Sequence, residues 1–131
     1  MMRSEIISQM ASLYTTAVLD HFQNPRNSGD LPGATFVVEV CNPVCGDVLR
    51  LAARLENGRV AEARFKTRGC VAAIACASWL TEWLRDKPLA ELSTLAAAHI
   101  SESLGSLAPA SFHAAELACD ALRELLKLRN G

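Results

Sequence analysis

The sequence predicts an α+β fold in which a three-stranded antiparallel meander packs against several helices. A helical periodicity comes first, and strand-like segments follow it up to about residue 67. Asn57-Gly58 separates two of these segments, and this dipeptide is the strongest short signal for a β-hairpin. The rest of the chain is helical in pattern, without the alternation of strands and helices that a parallel sheet needs. The length fits one domain, so residues 1–131 are expected to form a single domain.

The first predicted element is an amphipathic helix that runs from an N-cap at Ser4 to Phe22. Its apolar residues recur at steps of three and four, which is typical of a helix with one buried face. The next segment, up to about Gly33, is dense in Asn, Pro, Gly and Asp and is predicted to be a loop. The apolar positions of the helix are Ile6, Ile7, Met10, Leu13, Tyr14, Ala17 and Val18.

Three strands are predicted, at residues 35–41, 48–55 and 60–67. The first is rich in β-branched residues, and the other two alternate between apolar and charged side chains. Because Asn57-Gly58 joins the second strand to the third, these two are expected to pair antiparallel. The positions expected to face the core are Leu49, Leu51, Ala53 and Leu55 on the second strand and Ala61, Ala63 and Phe65 on the third, with Arg50, Arg54, Glu62, Arg64 and Lys66 on the opposite face.

Helices are predicted for the remainder of the chain, at residues 72–84 and 111–128, with one or two short helices between residues 89 and 104. The two longer segments carry apolar side chains at helical spacing, and Pro88 follows the end of the first. The predicted buried stripes are Ala72, Cys76, Trp79, Leu80 and Trp83 on the first of these helices and Ala114, Leu117, Ala121, Leu125 and Leu128 on the last.

Composition and charge exclude several functions. The chain has 13 Lys plus Arg and 14 Asp plus Glu, a net charge of -1, so no global positive field attracts nucleic acid or an anionic membrane. The longest uncharged stretch, residues 6–19, is shorter than the roughly 20 apolar residues that span a bilayer. The first ten residues include an acid and lack the apolar region of a secretory signal. We therefore expect a soluble cytoplasmic protein with no nucleic-acid or membrane partner.

The chain contains 5 cysteines, an odd number. In a reducing compartment this favours free thiols or metal ligands over disulfides, although a free cysteine is often just a small buried residue. Cys76 lies on an apolar helical stripe and is predicted to be in the core. Strand alternation favours burial of Cys41 over a position within reach of Cys45.

Cys45, Asp47 and Cys70 are predicted to meet at one corner of the fold. The start of the second strand and the end of the third lie side by side in a meander, and Gly46 allows close backbone approach. The N–H groups of the following helix would favour a thiolate at Cys70. His113, at the start of the last helix, can point at the same corner. Two thiols, a carboxylate and an imidazole suit zinc or iron, although Asp47 could simply cap a turn and Cys70 could pack beneath the helix.

The other histidines and the last cysteine are not expected to join this set. His21 and His99 are interpreted as surface or helix-end residues. Cys119 lies six positions after His113, which places it about 240° further around an ideal helix and away from that side chain.

Four segments together resemble the NifU/IscU/SufU family of iron–sulfur cluster scaffolds. The resemblance extends from about Tyr14 to Leu125 and implies a SufE/NifU-like α+β domain that is not an enzyme. It also implies transient assembly of a [2Fe–2S] cluster, a cysteine desulfurase as the sulfur donor, apo iron–sulfur proteins as recipients, and zinc in some members. The segments are DHFQNPRN at 20–27, NPVCGD at 42–47, ARFKTRGC at 63–70 and IA at 74–75.

The resemblance also implies a ligand set. Cys45, Asp47 and Cys70 match the ligand positions of the family, and His113 matches the histidine that precedes the last cysteine of IscU-type members. Ala114 stands where that cysteine, a ligand and sulfur acceptor, would be. Residues 107–111 keep only the leucine and one proline of the LPPVK segment that a dedicated chaperone engages, so no such chaperone is expected.

Three functions follow from these observations. The first is an iron–sulfur assembly scaffold with Cys45, Asp47, Cys70 and His113 as ligands. The second is a zinc-bound relative that acts as a structural or regulatory interaction module, since the same four side chains complete a tetrahedral set. The third, a thiol redox enzyme or sulfur carrier, is disfavoured because the sequence contains no CxxC motif.

Overall fold

The structure, a computed structural model, describes residues 13–44 and 46–130. Its three strands form one antiparallel sheet in the order β1-β2-β3, and helices pack against it, so the predicted α+β meander is confirmed. No helix in these described ranges is both long and apolar enough to cross a membrane. The elements are α1 (Thr16–Gln23), β1 (Phe36–Cys41), β2 (Val48–Glu56), β3 (Arg59–Arg68), α2 (Val71–Leu84), α3 (Ala97–Ser103) and α4 (Phe112–Asn130), with 3₁₀-helices at Leu89–Thr94 and Pro109–Ser111.

Helix α1 begins later than the sequence pattern predicted. Its N-cap is Thr15, whose hydroxyl accepts a hydrogen bond from the Val18 N–H at 3.1 Å. This bond satisfies one of the N–H groups left free at a helix start, so the described helix starts at Thr16. Leu13 precedes it and is 69% exposed, which corrects its predicted place on the buried face. The predicted cap at Ser4 lies outside the described residues.

The predicted hairpin is confirmed at Asn57-Gly58. Both residues have positive φ, 52° and 75°, as the tight turn between two antiparallel strands requires. Strands β2 and β3 therefore pair along their lengths, from Glu56 opposite Arg59 to Val48 opposite Arg68.

A β-bulge next to the hairpin changes which side chains face the core. The register shifts between Arg54, which pairs with Glu62, and Leu55, which pairs with Val60. Ala61 is the extra residue: it lies between Val60 and Glu62, whose partners Leu55 and Arg54 are consecutive on β2, so two residues on β3 oppose one on β2. Val60 is fully buried whereas Ala61 is only half-buried, so the predicted inward position of Ala61 is wrong.

The core lies between the sheet and helices α2 and α4. Cys76 is fully buried, as predicted, and burial raises the pKa of its thiol to about 12. Trp79 and Trp83 are only partly buried, and Leu128 is 47% exposed. The buried face of each helix is therefore narrower than predicted and does not fully include these three residues. The largest fully buried side chains include Leu49, Leu51, Leu80, Leu84, Leu92, Ile100, Leu104 and Leu125.

Cys41 is exposed, which contradicts its predicted burial. Strand β1 does alternate, but Val38 is its buried position and Val37 and Glu39 are exposed. Successive side chains point to opposite faces of a sheet, so Cys41 shares the solvent face with Glu39.

The segment DHFQNPRN at 20–27 forms a buried polar network with α2. His21 lies in the last turn of α1, but it is only 8% exposed, so its predicted surface position is wrong. Its Nδ1 lies 2.8 Å from the Ser78 hydroxyl, which also accepts a 2.8 Å hydrogen bond from the Arg26 N–H. The Asn27 amide donates to the Thr81 hydroxyl at 3.2 Å. These bonds satisfy polar groups that would otherwise be buried without partners. His99, by contrast, is exposed as predicted.

The same segment covers the outer edge of β3. The Phe65 N–H donates to the Asn27 carbonyl at 3.0 Å, and the Gly29 N–H donates to the Phe65 carbonyl at 2.8 Å. An uncovered edge strand invites pairing with another chain. Residues 27–29 therefore cover this edge at Phe65, and Asn27 also bonds to α2, so the segment links β3 to α2.

The burial of His21 makes folding stability depend on pH. Burial, with a further contribution from the Arg26 charge, holds the pKa of His21 below its ordinary 6.5, whereas Glu82 and Asp20 oppose this shift. Below about pH 6.5 the unfolded chain therefore takes up a proton that the folded chain does not, and the free energy of unfolding falls as pH decreases.

We predict that the urea unfolding midpoint falls between pH 7.5 and 5.5 and that the fall is smaller in His21→Gln, which keeps a hydrogen-bonding side chain facing Ser78. The midpoint is followed by circular dichroism at both pH values. An equal fall in the two proteins would contradict the assignment, since the His21 imidazole is present only in the wild type.

Candidate metal centre

Three predicted site residues converge at one edge of the sheet. Asp47 directly precedes β2, Cys70 is the N-cap of α2, and His113 is in the first turn of α4. One ligand atom from each lies within 4.8 Å of the other two. The predicted convergence is thus found for these three residues, and Cys45 lies outside the described residues.

Asp47 is the central residue of this group. Its side chain is 8% exposed, and its Oδ2 accepts a hydrogen bond from the Cys70 thiol at 3.4 Å. The His113 Nε2 lies 3.7 Å from the same oxygen, and the imidazole is 32% exposed. The three donors therefore surround one small volume that is closed on the Asp47 side and open to solvent beside His113.

The turn before Asp47 is held by backbone hydrogen bonds. The Asn42 N–H donates to the Asp47 carbonyl and the Gly46 N–H donates to the Asn42 carbonyl, both at 2.8 Å. Gly46 has a φ of 78°, which favours glycine, and a Cβ there would meet nothing within 4 Å. Gly46 is therefore needed for the conformation of the turn. The prediction that it allows a close approach of another part of the chain to the backbone is wrong. Val44 in this turn is 94% exposed, so the site lies at the surface.

Gly69 makes the close approach that Asp47 needs. A Cβ at position 69 would lie 2.8 Å from both Cγ and Oδ1 of Asp47, a distance that real Cβ atoms do not show. The carboxylate therefore occupies space that any other residue at position 69 would fill. The sequence shows Gly69 next to Cys70, but the contact with the Asp47 side chain depends on the fold and was not predicted.

The chemistry of Cys70 differs from its prediction. Burial raises the pKa of its thiol, and the negative charge of Asp47 raises it further. The backbone N–H groups of Ala73 and Ala72 lower the pKa, as expected at a helix N-terminus, but they do not outweigh the burial. In the absence of a cation the thiol therefore stays protonated, and its S–H donates a hydrogen bond to the Asp47 carboxylate.

A metal cation is a chemically suitable replacement for that proton. Thiolate, carboxylate and imidazole together form the mixed sulfur, oxygen and nitrogen set that zinc and iron accept in proteins. Metal binding removes the proton from a thiol, and the resulting charge is balanced by the metal.

None of the other three described cysteines, Cys41, Cys76 and the last one, Cys119, belongs to this group, and Cys76 is fully buried in the core. Cys119 is 2% exposed in the core of α4, in agreement with its predicted orientation away from His113. Cys41 lines the same cleft as His113, about 310 Å³ in volume, but it belongs to the solvent face of β1. Ala114 is 1% exposed, so the position that lacks a thiol is packed against the core.

The chain is similar to known assembly proteins over most of its length. An "Iron-sulfur cluster assembly scaffold protein IscU 1" from Archaeoglobus fulgidus is 40% identical over 114 residues, which are 87% of this chain and 74% of that protein. An "Iron-sulfur cluster assembly scaffold protein IscU" from Azotobacter vinelandii is 40% identical over 118 residues, 87% of this chain and 91% of that protein.

The fold is also found in a solved structure, the N-terminal part of a nitrogen-fixing NifU-like protein from Brucella abortus. The TM-score is 0.71 at 16% identity, with 90% of this chain and 94% of that chain covered. The family model described as the NifU-like N terminal domain matches residues 13–128. This chain, with its sheet, its helices and its Asp47–Cys70–His113 corner, therefore belongs to the NifU-like N-terminal domain family.

Proposed function

We propose that this protein is a scaffold on which a [2Fe–2S] cluster is assembled and from which it is passed on. Its proposed ligands are Cys45, Asp47, Cys70 and His113. The observation that carries the proposal is the convergence of donor atoms from the last three within 4.8 Å, in a chain whose relatives are named assembly scaffolds. Cys45 joins the set through the family resemblance and its place in the sequence, two positions before Asp47.

The position of the site suits a cargo better than a permanent cofactor. Asp47 closes the inner side of the site, whereas the imidazole of His113 is 32% exposed and Val44 of the adjacent turn is 94% exposed. A cluster held there lies close to solvent and to any docked protein. Iron and sulfide can therefore enter, and the cluster can leave, without unfolding of the core.

Ala114 leaves the proposed set with two thiolates. Sulfide-bridged iron is held mainly by thiolate ligands, so a set with fewer of them should hold its cluster less firmly. In this proposal the sulfur comes from a separate cysteine desulfurase, and recipient apo proteins remove the cluster. The desulfurase, and not this protein, breaks the carbon–sulfur bond of free cysteine. In this proposal the protein is therefore a scaffold and not an enzyme.

Reconstitution tests the proposal directly. After anaerobic incubation of the thiol-reduced protein with ferric iron and sulfide, we expect visible cluster absorption and acid-labile sulfide in the wild type. Cys45→Ser and Cys70→Ser should each lose most of both signals, by about tenfold, because a hydroxyl is a poor ligand for iron–sulfide units. Cys41→Ser is the matched control and should behave as the wild type.

Two results would contradict the proposal. Equal sulfide in the wild type and in Cys70→Ser would show that the cluster forms elsewhere. Stoichiometric zinc in the isolated protein with no cluster after reconstitution would instead favour the zinc-bound interaction module, for which the same donors suffice.

Restoring a thiol at position 114 should strengthen cluster binding. We predict that Ala114→Cys retains its labile sulfide several-fold longer than the wild type in the presence of an iron chelator, because a third thiolate lies directly after His113. Ala115→Cys provides the control, since Ala115 is equally buried in the next position of α4. A longer lifetime in both variants would show that an added cysteine acts without regard to the site.

Gly69→Ala tests the position of the Asp47 carboxylate. The new methyl group would force the carboxylate out of place, so affinity for Co²⁺, read from the visible spectrum, should fall by about tenfold. Gly33→Ala is the control: with a φ of 75° and no neighbour within 4 Å, it should cost stability, roughly 1 kcal/mol or more, without changing Co²⁺ affinity. Unchanged affinity in Gly69→Ala would remove Asp47 from the proposed set.

A further inference from the structure

The solvent face of the sheet carries a concentration of positive charge. Side chains on this face alternate with the buried ones, and rows of them run across the three strands. It holds five of the 13 basic residues of a chain whose net charge is -1. We call this surface the basic face; its cationic residues are Arg50, Arg54, Arg64, Lys66 and Arg68, and its carboxylates include Glu39, Glu56 and Glu62.

The charge is neutralised at one end of the basic face and not at the other. Near the hairpin, Glu62 forms ion pairs with Arg64 at 2.8 Å and with Arg54 at 3.5 Å, and Glu56 forms a second ion pair with Arg54. Toward the metal centre, within residues 13–44 and 46–130, the side chains of Arg50 and Arg68 form neither ion pairs nor hydrogen bonds, and both residues are exposed. The uncompensated charge therefore lies on the half of the sheet next to the metal centre.

The pairing of the strands brings two cations together at this end. Arg50 and Lys66 are directly opposite each other on β2 and β3. Like charges in this arrangement destabilise a sheet. Lys66 has Asp30 at 3.5 Å as a partner, and Glu39 is opposite Arg50 on β1, although no ion pair in the described ranges joins Glu39 to Arg50. An external anion would relieve this repulsion.

The surface around these residues is concave. Two clefts of about 260 Å³ each are lined by both Arg50 and Lys66. One is bounded by Pro32 of the loop that follows α1, and the other extends to Arg68. Two guanidinium groups with free donors in such clefts match the planar geometry of carboxylates.

We propose that the basic face docks an acidic surface of a partner protein. Asp and Glu side chains would occupy the clefts beside Arg50 and Lys66, and Arg68 would bring the partner to within two residues of Cys70. A protein is favoured over nucleic acid because Glu39 lies within the patch and the chain as a whole carries a net charge of -1. The proposal does not depend on the metal centre, since none of its residues is a proposed ligand.

The test is binding of a fluorescently labelled oligoglutamate peptide to the full chain, followed by anisotropy at low and at physiological ionic strength. Arg50→Glu/Lys66→Glu should weaken binding by at least about tenfold, and wild-type affinity should fall as salt is added. The matched control is Arg123→Glu/Lys127→Glu, which makes the same change of charge on exposed positions of α4. It should stay within about twofold of the wild type.

Each other outcome overturns the proposal. No binding by the wild type, or equal binding by both double variants, would show that the basic face is not a docking site for carboxylates. Tighter binding of a labelled DNA strand of equal charge, or of phosphatidylserine vesicles, through Arg50 and Lys66 would assign the face to another partner. Circular dichroism and Co²⁺ binding of the double variant should match the wild type, which separates a failure here from a failure of the metal centre.

Discussion

The antiparallel pairing of β2 with β3 is the constraint on which the candidate site depends. Val48 pairs with Arg68, and this pair places Asp47 and Gly69 side by side at one edge of the sheet. The carboxylate of Asp47 then fills the space that a side chain at Gly69 would need. A shift of the pairing by one residue would turn Asp47 toward the other face, because side chains alternate along a strand. The β-bulge lies near the hairpin, at the far end, so the pairing at the site stays regular.

Helix α2 supplies the second half of the geometry, since Cys70 is its N-cap. The helix is buried on most of its surface, and the fully buried hydroxyls of Ser78 and Thr81 bond to the segment at residues 20–27. The segment DHFQNPRN at 20–27 is therefore not a set of ligands. It bonds to both α2 and β3, holds them against each other and thereby fixes the position of the Cys70 thiol.

The sequence was sufficient for the order of the elements and for the place of the site. Periodicity and the Asn57-Gly58 turn predicted the meander, and the meander brought Asp47 close to Cys70. Features that depend on contacts between distant segments were not predictable. His21 is buried against Ser78, which lies 57 positions away in the sequence. The pKa of Cys70 is raised mainly by burial, and the depth of that burial follows only from the fold. The role of Gly69 likewise depends on where the Asp47 side chain points.

The two faces of the sheet carry different functional groups. The buried face supports the corner where Asp47, Cys70 and His113 meet, and there a cation can replace the thiol proton. The exposed face carries cations without ion-pair partners among the described residues, and these attract carboxylates. Both features end at the same edge, where Arg68 is two residues from Cys70. A partner held on the basic face would lie within two residues of Cys70, so docking of a partner and loading of the metal centre would be coupled through position alone.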